Sequence, residues 1–249
     1  MVPLTRHGFR EMLIGTFVLA AAIAAIGFEA SGLWLLLLVI PLAVLAWLFA
    51  FFRDPNRAIP GEQHVMVSPA DGTVSDITEL PHYELLGGPA LRVGIFLSVF
   101  NVHINRSPCD GKVVKVEYKK GKFINALSHA KASDENESNT VVLAEPDGER
   151  RIAVVKQIVG LIARRIIFTA REGDTIKRGD RIGMIKFGSR TELYVPMWLG
   201  PEAKVKVGQT VRGGADVILT LKGQPIHAAA AKTGVGEEFE PLVGRETPA

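Results

Sequence analysis

A glycine followed by a serine is a place where a chain can cut itself, and this chain has such a pair at Gly188-Ser189. Glycine has no side chain to block attack on its carbonyl carbon, and the serine hydroxyl lies close to that carbonyl along the backbone. Attack by Ser189 Oγ would convert the amide into an ester, and elimination of the ester would part residues 1–188 from residues 189–249. Gly-Ser is also an ordinary turn pair, so the chemistry needs companions. It needs a base to deprotonate the hydroxyl, and a group to orient that base.

A free imidazole titrates near neutral pH, which makes histidine the natural base. His103 sits in Asn101-Val102-His103-Ile104-Asn105, where polar and apolar residues alternate. Extended chain would put His103 on the polar face with Val102 and Ile104 behind it. By residue type alone His64, His82, His129 and His227 compete with it. A carboxylate would fix the imidazole tautomer and support its protonated form, the general logic of a Ser-His-Asp set. Two are placed alike, Asp71 in Pro69-Ala70-Asp71-Gly72 and Asp110 in Pro108-Cys109-Asp110-Gly111. Both Asp-Gly pairs are also good turn formers.

Taken together, the segments around Asp71, His103 and Ser189 resemble those of the phosphatidylserine decarboxylases, and the likeness covers most of residues 53–220. The resemblance selects between the alternatives. The family carries a Pro-x-Asp-Gly near the start of its catalytic domain, matching Asp71, and its histidine in a Val-His segment after an apolar strand, matching Val102-His103. It implies catalytic Ser189, His103 and Asp71, with cleavage between Gly188 and Ser189. It further implies a pyruvoyl group made from Ser189, with no metal and no pyridoxal phosphate. Such a group forms a Schiff base with phosphatidylserine and releases carbon dioxide, leaving phosphatidylethanolamine. His103 would then serve again as the acid that reprotonates the carbanion. The mature enzyme would be a heterodimer of its own two chains, with higher assembly left open.

The chain departs from the family in two places. Many members have Leu-Gly-Ser-Thr where this one has Phe187-Gly188-Ser189-Arg190. Many longer members place another histidine three residues before the Val-His one, and Phe100 stands there here. Any substrate-binding role of that histidine does not carry over. Shorter members with a hydrophobic N-terminal hairpin look closer.

Such a hairpin is visible in the composition. Residues 12–28 are nearly all apolar, Glu29-Ala30-Ser31-Gly32 interrupts, and residues 33–52 are apolar again. At about 1.5 Å per residue the second run reaches roughly 30 Å, the thickness of a bilayer core. A signal peptide would explain the first run but not the second. Soluble helices are seldom apolar all round. Two membrane-embedded helices are therefore expected, spanning or entering one leaflet. Arg6 and Arg10 before the pair and Arg53 and Arg57 after it place both ends, and the rest of the chain, on the cytoplasmic face.

Removing the first 52 residues takes away two basic and two acidic residues, so the balance stays at +3. That slight excess favours an anionic membrane surface, and no basic tract with interleaved aromatics points to nucleic acid. The single cysteine, Cys109, excludes an intramolecular disulfide and suits a reducing compartment. Its Pro-Cys-Asp-Gly setting reads as a turn.

Residues 53–249 form the expected catalytic unit, mainly β. Candidate strands are 65–67, 72–77, 91–99, 112–118, 140–144, 151–159, 181–185, 192–195 and 217–221, and the polar stretch 128–139 reads as a mobile loop. Two patterns occur twice. Pro-x-Asp-Gly-x-Val stands at 69–74 and 108–113, and Gly-x-Thr-(Ile/Val)-(Lys/Arg)-x-Gly at 173–179 and 208–214. Paired hairpins of this kind suggest a barrel-sandwich body. That architecture supplies the rival reading, a membrane-tethered carrier or adaptor domain without catalysis. Lys177 and Lys222 lack the Met-Lys-Met or Asp-Lys-Ala setting a carrier uses. A membrane-tethered, zinc-dependent peptidoglycan hydrolase would want His-x-x-x-Asp and His-x-His, and neither occurs.

Overall fold

A computed structural model of the chain describes residues 3–124, 129–160, 165–186 and 188–223. Phe187, His227 and Ser128 lie outside the described residues. Two helices lead, α1 (Phe9–Glu29) and α2 (Val39–Phe51). The strands follow as β1 (Val65–Val67), β2 (Gly72–Tyr83), β3 (Gly88–Leu97), β4 (Ile104–Arg106) and β5 (Gly111–Lys119). After a short α3 (His129–Glu135) come β6 (Ser138–Ala144), β7 (Arg151–Val159), β8 (Arg165–Phe168), β9 (Thr175–Ile176) and β10 (Arg181–Lys186). The last are β11 (Ser189–Pro196), β12 (Pro201–Ala203), β13 (Thr210–Val211) and β14 (Val217–Leu221). The fold is mainly β, with an apolar helical hairpin in front.

Eight strands form one curled antiparallel sheet in the order β13-β2-β3-β11-β7-β6-β5-β9, and two three-stranded sheets, β1-β14-β12 and β4-β10-β8, complete the body. The duplicated sequence patterns pair copy with copy at the two ends of the large sheet. Asp71 accepts the Gly213 N–H at 2.8 Å, and Asp110 accepts the Arg178 N–H at 2.7 Å. The Ser68 hydroxyl donates to Ala70 O at 2.6 Å, and the Ser107 hydroxyl donates to Cys109 O at 2.7 Å. Each Asp-Gly carboxylate thus satisfies an amide in the turn that lies against it, as Asp does wherever it can bond nearby backbone. Val93, Ile95, Leu143, Val155, Ile182 and Leu193 fill the core between the sheets.

Strand β11 lies in the middle, paired with β3 on one side and β7 on the other, so Ser189 faces Leu97 and Val159 in register. Its two faces differ. Leu193 and Val195 enter the apolar core, while Arg190, Glu192 and Tyr194 point the other way, in accord with strand alternation. Arg190 is fully buried and bridges Asp76 of β2 to Glu192. Glu192 also accepts from the Tyr194 hydroxyl at 2.6 Å and the Ser133 hydroxyl at 2.9 Å. The second of these bonds accounts for a difference from expectation. Residues 129–135 form α3 instead of a mobile loop, because Ser133 is tied to the sheet and Ala132 is buried against it.

The hairpin also differs in detail. Residues Gly32–Leu38 form a 3-10 helix, and the α-helix begins only at Val39. Pro41 has no N–H and belongs in a first turn, where that donor would have no helical partner anyway. Both segments are long and apolar enough to cross a membrane, and most of their surface is uncovered. At the base the chain ends are clamped, with Thr5 N–H donating to Phe52 O at 2.9 Å and Asp54 N–H to Pro3 O at 2.7 Å.

Gly94 of β3 marks how tightly β11 is locked. A Cβ built there would stand 2.1 Å from an Arg190 guanidinium nitrogen and 2.4 Å from an Asp76 carboxylate oxygen. Gly94→Val should therefore break a buried ion pair and lower stability by about 3 kcal/mol, measured by denaturation of the detergent-solubilised protein. A wild-type midpoint would show that Arg190 can swing aside without loss.

Candidate active site

His103 and the Gly188-Ser189 pair, 85 positions apart in the chain, come together in the structure. The Gly188 N–H donates to His103 Nε2 at 3.2 Å. His103 Nδ1 stands 3.0 Å from the Asn101 carbonyl. A carbonyl can only accept, so Nδ1 carries the ring proton and Nε2 presents its lone pair. That is the tautomer a general base at Nε2 requires. Both His103 and Ser189 are fully buried.

The loop that supplies the Asn101 carbonyl is itself held. Asn101 Oδ1 accepts from the Ser98 N–H at 2.8 Å and its hydroxyl at 2.9 Å, closing a turn before His103. The end of the hairpin grips the same turn, with Trp47 Nε1 donating to Val99 O at 3.3 Å and Arg53 donating to Phe100 O at 2.7 Å. The Phe51 ring lies 4.4 Å from the imidazole centroid. Phe51 and Phe52 share a cluster with Val102, Ile104 and Met184 around the histidine. Burial in this setting lowers the His103 pKa to about 4, and Arg53 pushes the same way against the Asn101 hydrogen bond. At neutral pH the ring is uncharged.

Two features of the Gly188-Ser189 pair would suit attack on the Gly188 carbonyl. Gly188 has φ +67, a left-handed conformation that residues with a Cβ rarely adopt. Ser189 Oγ is buried and has no hydrogen-bond partner among the described residues. A buried hydroxyl without a partner costs free energy, on the order of 1–3 kcal/mol. It leaves Oγ uncommitted beside the carbonyl it would attack, and this geometry suits conversion of Ser189 to a pyruvoyl group.

Asp71 is elsewhere. Its carboxylate binds Arg57 at 2.7 Å and caps Gly213, and no described hydrogen bond joins it to His103. Burial raises its pKa against the opposing pull of Arg57. The Asn101 carbonyl occupies the orienting position that sequence reasoning gave to Asp71. A main-chain acceptor has no sequence signature, which is why pattern alone missed it. The Asp71 turn does lie against β4, which follows His103, because the carbonyl of Pro69, two residues before Asp71, accepts the Arg106 N–H at 2.9 Å. Asp110 is occupied by the Arg178 amide of the turn that lies against it.

Polar residues that the motifs did not single out surround the site. Asn105 donates to the Thr191 hydroxyl at 2.9 Å and accepts from Gln157 at 2.8 Å, tying β4 to β11 and β7. Asn136 donates at 2.8 Å to the carbonyl of Val159, the residue that pairs with Ser189. That bond gives the polar stretch 134–139 a physical role, which its composition alone did not suggest. Cys109 is buried, and burial pushes its thiol up to about 12, so it is no nucleophile at neutral pH.

Fold and site define a β-rich body with a buried serine–histidine pair at the foot of an apolar hairpin. The family model for phosphatidylserine decarboxylase matches residues 44–219. A phosphatidylserine decarboxylase proenzyme of Azorhizobium caulinodans is 40% identical over 233 residues, covering 92% of this chain and 94% of its own length. That of Carboxydothermus hydrogenoformans is 44% identical over 221 residues, covering 88% of this chain and 96% of its own. The Granulibacter bethesdensis proenzyme is 46% identical over 215 residues, covering 85% and 83%. The chain belongs to the phosphatidylserine decarboxylase family.

The pKa of His103 gives a pH prediction. A base that is neutral above about 4 should keep self-cleavage of freshly made precursor nearly constant from pH 8 to about 5. The sign for stability is separate. Below about 6.5 the unfolded chain takes up a proton that buried His103 refuses, so this group destabilises the fold as pH falls from about 6.5 towards 4. Cleavage followed by gel, with circular dichroism to confirm folding, separates the two effects. A cleavage midpoint near 6.5 in folded protein would mean that the acting imidazole is exposed to water.

Proposed function

We propose that this chain is the precursor of a pyruvoyl-dependent decarboxylase that converts phosphatidylserine to phosphatidylethanolamine and carbon dioxide. The observation that carries the reading is the uncommitted, buried Ser189 hydroxyl next to a left-handed Gly188 whose amide rests on His103. His103 Nε2 exchanges the Gly188 N–H for the Ser189 hydroxyl and takes its proton. The Gly188–Ser189 amide bond opens as the ester forms, and the proton passes from the imidazolium to the departing Ser189 nitrogen. An imidazole with so low a pKa gives that proton up readily. Loss of the Ser189 α-proton then expels Gly188 as a carboxylate, and water replaces the nitrogen as ammonia. The pyruvoyl ketone so made supplies an electron sink for the pair released when an amino acid headgroup loses carbon dioxide.

The hairpin supports a lipid substrate. Phe51 touches the catalytic imidazole while most of α1 and α2 lies open, so a membrane holding those helices would bring headgroups to the level of the site. Arg6, Arg10 and Arg53 at its base favour the cytoplasmic face. Arg57 is turned into the body by Asp71 and adds little to that bias. The cleaved product would be a heterodimer held by the β11 pairings to β3 and β7.

Intact mass of the purified protein is the direct test, with two chains expected from cleavage at 188/189. Ser189→Ala should stay whole and inactive. His103→Ala should slow cleavage by about 10²–10⁴-fold, the usual effect of losing one positioned base. Asp71→Asn should slow it more mildly and Asp110→Asn not at all, although the two cap equivalent turns. Equal behaviour of the two would reduce Asp71 to a turn cap. A single unprocessed chain that still decarboxylates would overturn the proposal.

Membrane attachment is tested separately. The full-length protein should stay with the membrane fraction through a high-salt wash, because the open helical surface is apolar. Release by salt alone would mean that charge holds it there.

A further inference from the structure

A cavity of about 250 Å³ opens at the base of the hairpin. Arg6, His7, Asp54, Thr169 and Arg181 line it, and Ser189, Gly188 and His103 do not. Its charge is unbalanced. Asp54 is shared by two arginines, Arg106 at 3.2 Å and Arg181 at 2.6 Å. Arg6 forms no ion pair among the described residues and is exposed. Crowding of positive charge also shows at Arg106, whose pKa is lowered first by burial and next by Arg181. The clamp between Thr5 and Phe52 sets the cavity where α1 and α2 enter the body, the level of lipid headgroups if the hairpin is embedded.

Above it, Phe9, Leu13 and Phe17 lie open on α1. Spacings of four and eight residues put them on one face of the helix. A cavity smaller than the roughly 300–1,000 Å³ typical of small-molecule sites suits a headgroup, and the apolar stripe suits the chains attached to it.

We propose that this cavity binds the phosphodiester of an anionic phospholipid, with Arg6 and Arg181 as its cationic ligands and the acyl chains along Phe9, Leu13 and Phe17. This lipid is held apart from the one that reacts. The inference rests on the hairpin lying in a membrane, but soluble short-chain lipid tests the cavity without requiring it.

The experiment compares binding of dihexanoyl phosphatidylglycerol, which has no amine to react, with that of dihexanoyl phosphatidylcholine. Both are titrated into the full-length protein and followed by native mass spectrometry. Wild type should prefer phosphatidylglycerol. Arg6→Gln should weaken that binding about fivefold and leave phosphatidylcholine unchanged, the effect of one basic residue near an anionic headgroup. Arg6→Lys should retain most of the preference. Arg10→Gln removes the same charge from an exposed position outside the cavity and should bind as wild type. Equal loss in Arg10→Gln and Arg6→Gln would reduce the effect to diffuse charge and overturn the proposal, as would a wild type without preference. Inorganic phosphate competing as well as phosphatidylglycerol would make this a free-anion site and overturn the lipid assignment.

Discussion

The imidazole of His103 is held between two backbone groups, the Asn101 carbonyl on one nitrogen and the Gly188 amide on the other. Most of the structure around it maintains that arrangement. The carbonyl determines the tautomer, and the amide brings the lone pair to the Gly188-Ser189 pair. Neither contact uses a charged side chain. In so dry a place an imidazolium would be costly, and burial keeps the ring neutral. A base that is neutral and aligned can act without first losing a proton to water.

Three regions must agree in position for this to hold. The 98–101 turn has to present its carbonyl, β11 has to keep Ser189 in register, and the hairpin has to cover both. The buried bridge from Asp76 through Arg190 to Glu192 pins β11 immediately after Ser189. Such a bridge contributes little net stability compared with apolar packing, yet breaking it leaves a buried charge uncompensated, which punishes any other register. Burial opposes ionisation of Asp76, but Arg190 outweighs it and holds the carboxylate below its ordinary pKa. The bridge therefore persists into mildly acidic solution. The hairpin is part of the site and more than an anchor, because Trp47, Phe51 and Arg53 all touch the histidine or its turn.

The internal duplication has a consequence for reading motifs. Two Pro-x-Asp-Gly turns cap two equivalent amides at opposite ends of one sheet. Conformational demand alone is enough to explain an Asp-Gly pair at both. Among the described residues only Asp71 has an added partner, Arg57, which comes from the segment linking hairpin to body. The two copies share a turn and differ in what the surrounding chain brings to them.

Local chemistry was legible in the residues themselves. The Gly188-Ser189 pair, the alternation around His103 and the apolar runs before residue 53 rest on short-range rules of sterics, strand period and helix length. Strands 65–67, 151–159 and 217–221 stand where pattern placed them. Long-range partners were not legible. Helix α3 forms in a polar stretch because Ser133 meets Glu192, 59 residues away. The orienting group for His103 is a main-chain carbonyl, which every residue possesses and no motif can mark. Asp71 has the right chemistry for that task, but the packing of Arg57 and Gly213 engages it first. Residue type determines what a side chain can do, and tertiary packing decides which partner it meets, because a buried polar group must bond to whatever the fold places within reach.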